Sequence, residues 1–264
     1  MGNRRDVAVI RLQHGKVNAI DEGFLNALNR ALDAVSPSTG LVFTGRGNFF
    51  SVGLNLRYVY PLSREEMAAF MARFIATLQR VLTWPAPTVA ALNGHTLGGG
   101  FLLALVCDRR VILPGLQARI GFPDVEKQVP LSYSLRLMAR HALPASLKSL
   151  ADGQGVNFSP EEAIAHGIAE RVNEDVHLVP LGRPREEGAE QAYSRLVAAA
   201  MAWIAHQPEG YAAQKAAQQA DLVARLHALG TEDIEYFLDQ WFAPDTRRAF
   251  GRMWERLNRP VLID

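Results

Sequence analysis

Ala90-Ala91-Leu92-Asn93-Gly94-His95-Thr96-Leu97-Gly98-Gly99-Gly100 passes from an apolar run to three successive glycines, and the apolar residues Phe101 to Val106 follow. Thr88 to Leu92 reads as a strand, and the glycines lead into a helix from about Phe101. Strand, bare turn and apolar helix in that order leave the first amides of the helix unpaired and point its dipole outward. Such a turn can hold a developing oxyanion close to the main chain. A triple glycine on its own is equally what a tight turn or close helix packing requires.

Outward from this stretch the same alternation recurs. Val7 to Leu12 reads as a strand, and Asp21 to Val35 as a helix with Phe24, Leu25, Leu28, Leu32 and Val35 on one side. Leu41 to Thr44 is a buried strand cut off by Gly45-Arg46-Gly47-Asn48. Ser63 with Glu66 is a capping box, followed at helical spacing by Met67, Phe70, Met71, Phe74, Ile75, Leu78 and Leu82 until Trp84-Pro85-Ala86-Pro87 ends the helix. Strands alternating with helices predict an α/β fold with a sheet covered on its faces. The second half is mainly helical. Ser159-Pro160-Glu161-Glu162 starts a helix running to about His166, Gly182 to Gly188 reads as a charged loop, and Ala189–His206, Tyr211–Leu229, Glu232–Phe242 and Pro244–Asn258 read as four helices.

Composition removes several function classes. With 28 Lys and Arg against 27 Asp and Glu the net charge is +1, so no broad basic field exists for gripping nucleic acid or anionic lipid. A chain of 264 residues, 48% of them hydrophobic, buries about three quarters of its unfolded surface, which excludes a disordered tail or a disulfide-stapled miniature. The single cysteine, Cys107, lies in an apolar run and reads as a small buried hydrophobe. The start of the chain is too short in apolar residues for a signal-peptide core, and the longest apolar stretch, Leu97 to Cys107, is about half a bilayer span. A cytoplasmic protein without membrane contact is the expectation.

Common catalytic motifs also fail. Gly45-Arg46-Gly47-Asn48-Phe49-Phe50 begins like a dinucleotide fingerprint but has Phe50 where the last glycine belongs, and there is no phosphate-loop Gly-Lys-Ser/Thr, no G-x-S-x-G and no H-E-x-x-H. No metal is expected. A second bare-backbone turn remains, Phe50-Ser51-Val52-Gly53-Leu54-Asn55-Leu56, in which Gly53 permits a bend that presents the Leu54 amide. Two converging amides make an oxyanion hole.

Val17-Asn18-Ala19-Ile20, Thr44 to Leu56, Ala90 to Gly100, Cys107-Asp108 and Phe122-Pro123-Asp124-Val125, in that order and spacing, resemble the crotonase (enoyl-CoA hydratase/isomerase) superfamily over about residues 5 to 175. The resemblance implies a spiral of ββα units with a C-terminal helical region used for trimerisation, dividing the chain into an acyl-CoA-binding core, 1–196, and a helical region, 197–264. It implies an acyl-CoA thioester as ligand and no separate cofactor, coenzyme A being part of the substrate. Carried over by motif, the oxyanion donors are the amides of Leu54 and Gly99, Val17 and Ala19 line the adenine end, and Ser51, Gly53, Asn55, Leu56, Gly98 and Leu102 complete the substrate site.

Departures from the family pattern narrow the reaction. Hydratases of the superfamily use two glutamates, and the first position, two residues after the triple glycine, is Leu102. Leucine neither orients nor deprotonates water. The second position is Asp124, one methylene shorter than the usual Glu, and members resembling Δ3,Δ2-enoyl-CoA isomerases need only this carboxylate. One residue is missing beyond it, which makes Glu126 its rival. Asp124 also suits a helix cap after Pro123, and Glu126 a solvated charge. His95 reads as a structural neighbour of the turn, and Tyr133 as a packing aromatic or a decarboxylase-like phenol. A CoA-thioester-binding protein with little catalysis, and a hydrolase or decarboxylase, are the other readings. Trp203, Ile204, Phe237, Leu238, Trp241, Phe242, Phe250 and Trp254 are more apolar surface than a peripheral helical region covers by itself, so an oligomer is expected, and the resemblance implies a homotrimer, or a hexamer built as a dimer of trimers.

Overall fold

The structure, a computed structural model, describes residues 5–122, 130–152, 155–172 and 186–258. The chain enters as β1 (Val7–Arg11), turns through α1 (Glu22–Asp33) and returns as β2 (Gly40–Thr44), then steps sideways into β3 (Phe49–Ser51). After α2 (Leu56–Val59) and α3 (Arg64–Leu82) the pattern repeats as β4 (Thr88–Leu92) and β5 (His95–Leu97), and after α4 (Gly99–Leu105) as β6 (Arg109–Ile112) and β7 (Ile120–Gly121). α5 (Tyr133–Ala142) and a 3-10 segment, Ala145–Asp152, lead to β8 (Asn157–Phe158), α6 (Pro160–Ala165) and β9 (Glu170–Arg171). The helices α7 (Glu186–Ala205), α8 (Tyr211–Ala228), α9 (Glu232–Phe242) and α10 (Pro244–Asn258) complete the fold.

Two sheets result, because each turn of the chain gives one strand to each. The larger runs β1-β2-β4-β6-β9, all parallel, and the smaller runs β3-β5-β7-β8 with only the last pair antiparallel. This is the expected α/β spiral of ββα units. β2 and β4 are buried at every residue, as parallel strands covered on both faces must be. One cover is α3, whose capping box Ser63/Glu66 is formed and whose Met67, Phe70, Met71, Phe74, Ile75, Leu78, Val81 and Leu82 are all buried. The other is α7, whose Leu196, Ala200 and Ile204 pack with Val42, Val89, Ala91 and Val111.

Three expectations are corrected. Residues 186–188 belong to α7 rather than to a loop, since one glycine, Gly188, costs a helix only about 1 kcal/mol. The helix after the triple glycine starts at Gly99, not near Phe101, with Gly98 as its cap. The large apolar residues of the C-terminal helices are mostly covered by the chain itself: Ile204 is buried against the larger sheet, Phe237, Leu238, Trp241 and Phe250 are buried in the core cluster, and Trp203, Phe242 and Trp254 are half-buried. The division at 196/197 falls inside α7, between Leu196 and the rest of its sheet-facing stripe. Among the described residues no helix is long and apolar enough to cross a membrane.

Candidate functional site

The two glycine turns meet. Gly53 sits at φ +88°, and a Cβ added to it would lie 2.8 Å from both the Gly99 nitrogen and the Leu97 carbonyl oxygen, so only bare backbone permits the approach. Gly100 is pressed as closely on the other side, its Cβ position falling 2.6 Å from Ser51 Cβ. This contact explains why residue 100 is a glycine although it lies within α4.

Amide directions follow from the bonds around them. The Gly53 carbonyl accepts the Ile20 N–H at 2.8 Å, and the Asn55 N–H donates to the Ile20 carbonyl at 2.8 Å. In a trans peptide the N–H points opposite to its own carbonyl, so the Leu54 N–H faces away from Ile20. Gly99 opens α4, where a helix has no internal acceptor for its first amides. Among the described residues neither the Leu54 nor the Gly99 N–H donates to a protein acceptor. Two unpaired donors on touching turns can stabilise a negative oxygen.

Side chains fix the segments that carry these amides. Ser51 Oγ donates to the Asn18 carbonyl at 2.7 Å and accepts the Gly53 N–H at 3.2 Å. The Asn18 side chain donates to the Phe50 carbonyl at 3.0 Å while Asn18 itself stands at φ +52°. The Asn55 side-chain amide donates to Asp21 Oδ2 at 3.0 Å, and Asp21 Oδ1 accepts the Phe24 N–H at 3.0 Å and lies 2.8 Å from His14 Nε2. Burial works to raise the Asp21 carboxyl, and the bonds from Phe24, Asn55 and His14 outweigh it and hold the group below its ordinary value.

Of the other expected site residues, Val17 and Ala19 are half-buried, Gly98 stands at φ +52° before α4, and Leu56 opens α2. Leu102 is buried among the core apolar side chains. Asp124 and Glu126 lie outside the described residues. His95 lies in β5 as a structural neighbour of the turn, accepting the Arg119 N–H on Nδ1 and packing on Phe49. Tyr133 stacks on Tyr236 at 4.5 Å between ring centroids. Cys107 is the buried hydrophobe expected, its thiol pushed up to about 12 by burial and then by Asp108. Beside the Gly45-to-Phe49 turn a cleft of about 740 Å³ is lined by Arg11, Lys16, Arg46, Asn48 and Tyr193 among others. Asn93 escaped notice in the sequence: its side chain accepts the Gly45 N–H at 2.7 Å and donates to the Gly47 carbonyl at 2.8 Å, holding that turn. Its place before a glycine at the end of a strand was the available signal.

Known proteins agree with this architecture. The enoyl-CoA hydratase/isomerase family matches residues 2–237. A probable enoyl-CoA hydratase of Bacillus subtilis (strain 168) is 28% identical over 167 residues, 61% of this chain and 64% of that one. The peroxisomal bifunctional enzyme of Cavia porcellus is 32% identical over 172 residues, 63% of this chain and 23% of that one. The chain thus spans less than two thirds of the length of these sequence relatives. The crystal structure of human mitochondrial delta3-delta2-enoyl-CoA isomerase superposes with a TM-score of 0.76 over 95% of this chain and 93% of that one at 24% identity, a likeness of fold. With the fold, the paired turns and the sequence match in agreement, the chain belongs to the enoyl-CoA hydratase/isomerase family of the crotonase superfamily.

Proposed function

We propose that this protein shifts the double bond of an enoyl-CoA thioester through an enolate whose oxygen is held by the Leu54 and Gly99 amides. The observation that carries the reading is the meeting of those two unpaired donors at a turn that tolerates no side chain. Asp124 removes a proton from C2 of a 3-enoyl thioester, the negative charge collects on the thioester oxygen, and the same carboxyl returns the proton to C4. Each amide contributes roughly a hundredfold or more in rate. Val17 and Ala19 flank the adenine end, and the cations Lys16 and Arg46 beside the neighbouring turn, where Arg11 is paired with Glu190 at 3.3 Å, suit the phosphates of coenzyme A.

Leu102 supports isomerisation over hydration. That reaction needs one group to activate water and another to deliver a proton, and a leucine buried in the core supplies neither. Turnover of a panel of 3-enoyl-CoA, 2-enoyl-CoA and malonyl-type thioesters tests the reading. Isomerisation of the 3-enoyl substrate is expected, with hydration of the 2-enoyl substrate very weak. Asp124→Asn should lower isomerisation roughly a hundredfold with little change in acyl-CoA affinity. Full activity in Asp124→Asn together with its loss in Glu126→Gln moves the base to Glu126. Binding without turnover of any member favours the CoA-thioester-binding reading, and malonyl turnover favours a decarboxylase. The family resemblance further supports a homotrimer or a hexamer of two trimers; a monomer in sedimentation at micromolar concentration contradicts that assembly.

A further inference from the structure

We infer that Asp21 is a positioning residue for the reaction: through its hydrogen bond to the Asn55 side chain it holds the Leu54 amide at the oxyanion position. The inference rests on the proposed enolate chemistry at that amide. Asn55 is the residue before α2, and asparagine there ordinarily turns back to cap the first free amides of its helix. Here it makes no such side-chain cap. Its side-chain amide points instead to Asp21 Oδ2, 34 residues away in sequence, at 3.0 Å. A favoured local bond is given up for a long-range one on the residue next to Leu54.

Asp21 has the connections needed to make that bond a fixed point. Its side chain is 16% exposed, and its other oxygen is held by the Phe24 N–H and faces His14 Nε2. The carboxylate therefore cannot follow Asn55 if the turn moves. Upstream of Leu54 the segment is tied by Ser51 Oγ to the Asn18 carbonyl and by the Val52 N–H to the Val17 carbonyl. Downstream, the Asn55 N–H to Ile20 and the Asn55 side chain to Asp21 tie it again to the same 17–21 stretch. Leu54 is thus anchored on both sides, while its own N–H meets no acceptor among the described residues. A backbone bond alone permits the peptide plane to rock about its axis. The side-chain bond adds a second contact on the same residue and resists that rotation.

Exchanging donor and acceptor tests this. Asn55→Asp sets an acceptor-only carboxylate against the Asp21 carboxylate, so the clamp is lost with the shape nearly preserved and the Phe24 cap intact. Turnover of a 3-enoyl-CoA is expected to fall about 10- to 100-fold in kcat while KM stays within about twofold, because the lost interaction belongs to the enolate rather than to the bound ground state. The near-ultraviolet absorbance of the enolate formed from a bound 3-ketoacyl-CoA should fall in parallel. This spectroscopic readout does not depend on double-bond migration. The double variant Asp21→Asn/Asn55→Asp rebuilds the bond with its polarity reversed and should recover most of both signals. Unchanged kcat and enolate absorbance in Asn55→Asp, or a double variant no better than that single one, overturns the positioning role. A wild-type protein that neither turns over the 3-enoyl thioester nor stabilises the enolate overturns the functional reading beneath it, a result told apart by the wild-type measurement alone.

Discussion

Gly53→Ala should abolish thioester turnover while leaving a folded protein. Two effects act at this position and their sizes differ. Alanine at φ +88° carries a backbone penalty of about 1–2 kcal/mol, which a domain of this size survives. The methyl group would stand 2.8 Å from the Gly99 nitrogen and the Leu97 oxygen, both main-chain atoms that no rotamer change can move aside. The two turns must separate, and with them the two amides. Losing one donor of an oxyanion hole costs about 10²–10³ in kcat, and separating the pair should cost at least that. Gly115→Ala is the control, since Gly115 has φ +78° with nothing within 4 Å of its added Cβ. It carries the same backbone strain without the collision, so it should lower the melting temperature slightly and keep full turnover. Equal losses in both variants would mean that strain, not the meeting of the turns, governs activity.

The largest effect on stability is expected at Lys215. Its Nζ lies 2.8 and 2.9 Å from the two carboxylate oxygens of Asp108, with the side chains only 5% and 9% exposed. Asp108 also accepts the Thr88 N–H at 2.8 Å, so this pair joins α8 to the first residue of β4, just before β6. Lys215→Met removes the cation and leaves the carboxylate buried, which costs about 3–5 kcal/mol. For a chain of this length that is a fall of roughly 6–20 °C in melting temperature. Asp108→Asn/Lys215→Met removes both charges and should recover much of the loss, because the penalty comes from the orphaned charge rather than from the missing attraction. A single variant that melts within a degree or two of wild type would show that α8 contributes little to the core.

Most of the framework was legible because it is written in local patterns. α3 and α6 announce themselves by capping boxes, and α3 by a continuous apolar face as well; both capping boxes are formed in the structure. β2 and β4 announce themselves as apolar runs. β3, β5, β7 and β8 do not: two or three residues cannot display a period of two, and these strands exist because the preceding turn of the spiral offers a paired edge. α5 escaped for a different reason. Its buried Leu135, Met138 and Ala139 are interleaved with Arg136 and Arg140, and its start depends on a single cap, Ser132. Within the candidate site, the glycine turns could be read directly, since a bare backbone leaves a mark in sequence. The Asp21–Asn55 bond and the Asp108–Lys215 pair could not, because hydrogen bonds across 34 and 107 residues have no spacing to betray them.

In the proposed reaction the Leu54 and Gly99 amides together receive the thioester oxygen. The most direct test is a crystal structure of the protein with a saturated acyl-CoA bound. The thioester carbonyl oxygen is expected at about 2.7–3.1 Å from both nitrogens. An acyl-CoA seated elsewhere on the chain, or one whose carbonyl oxygen contacts neither amide, would contradict the account.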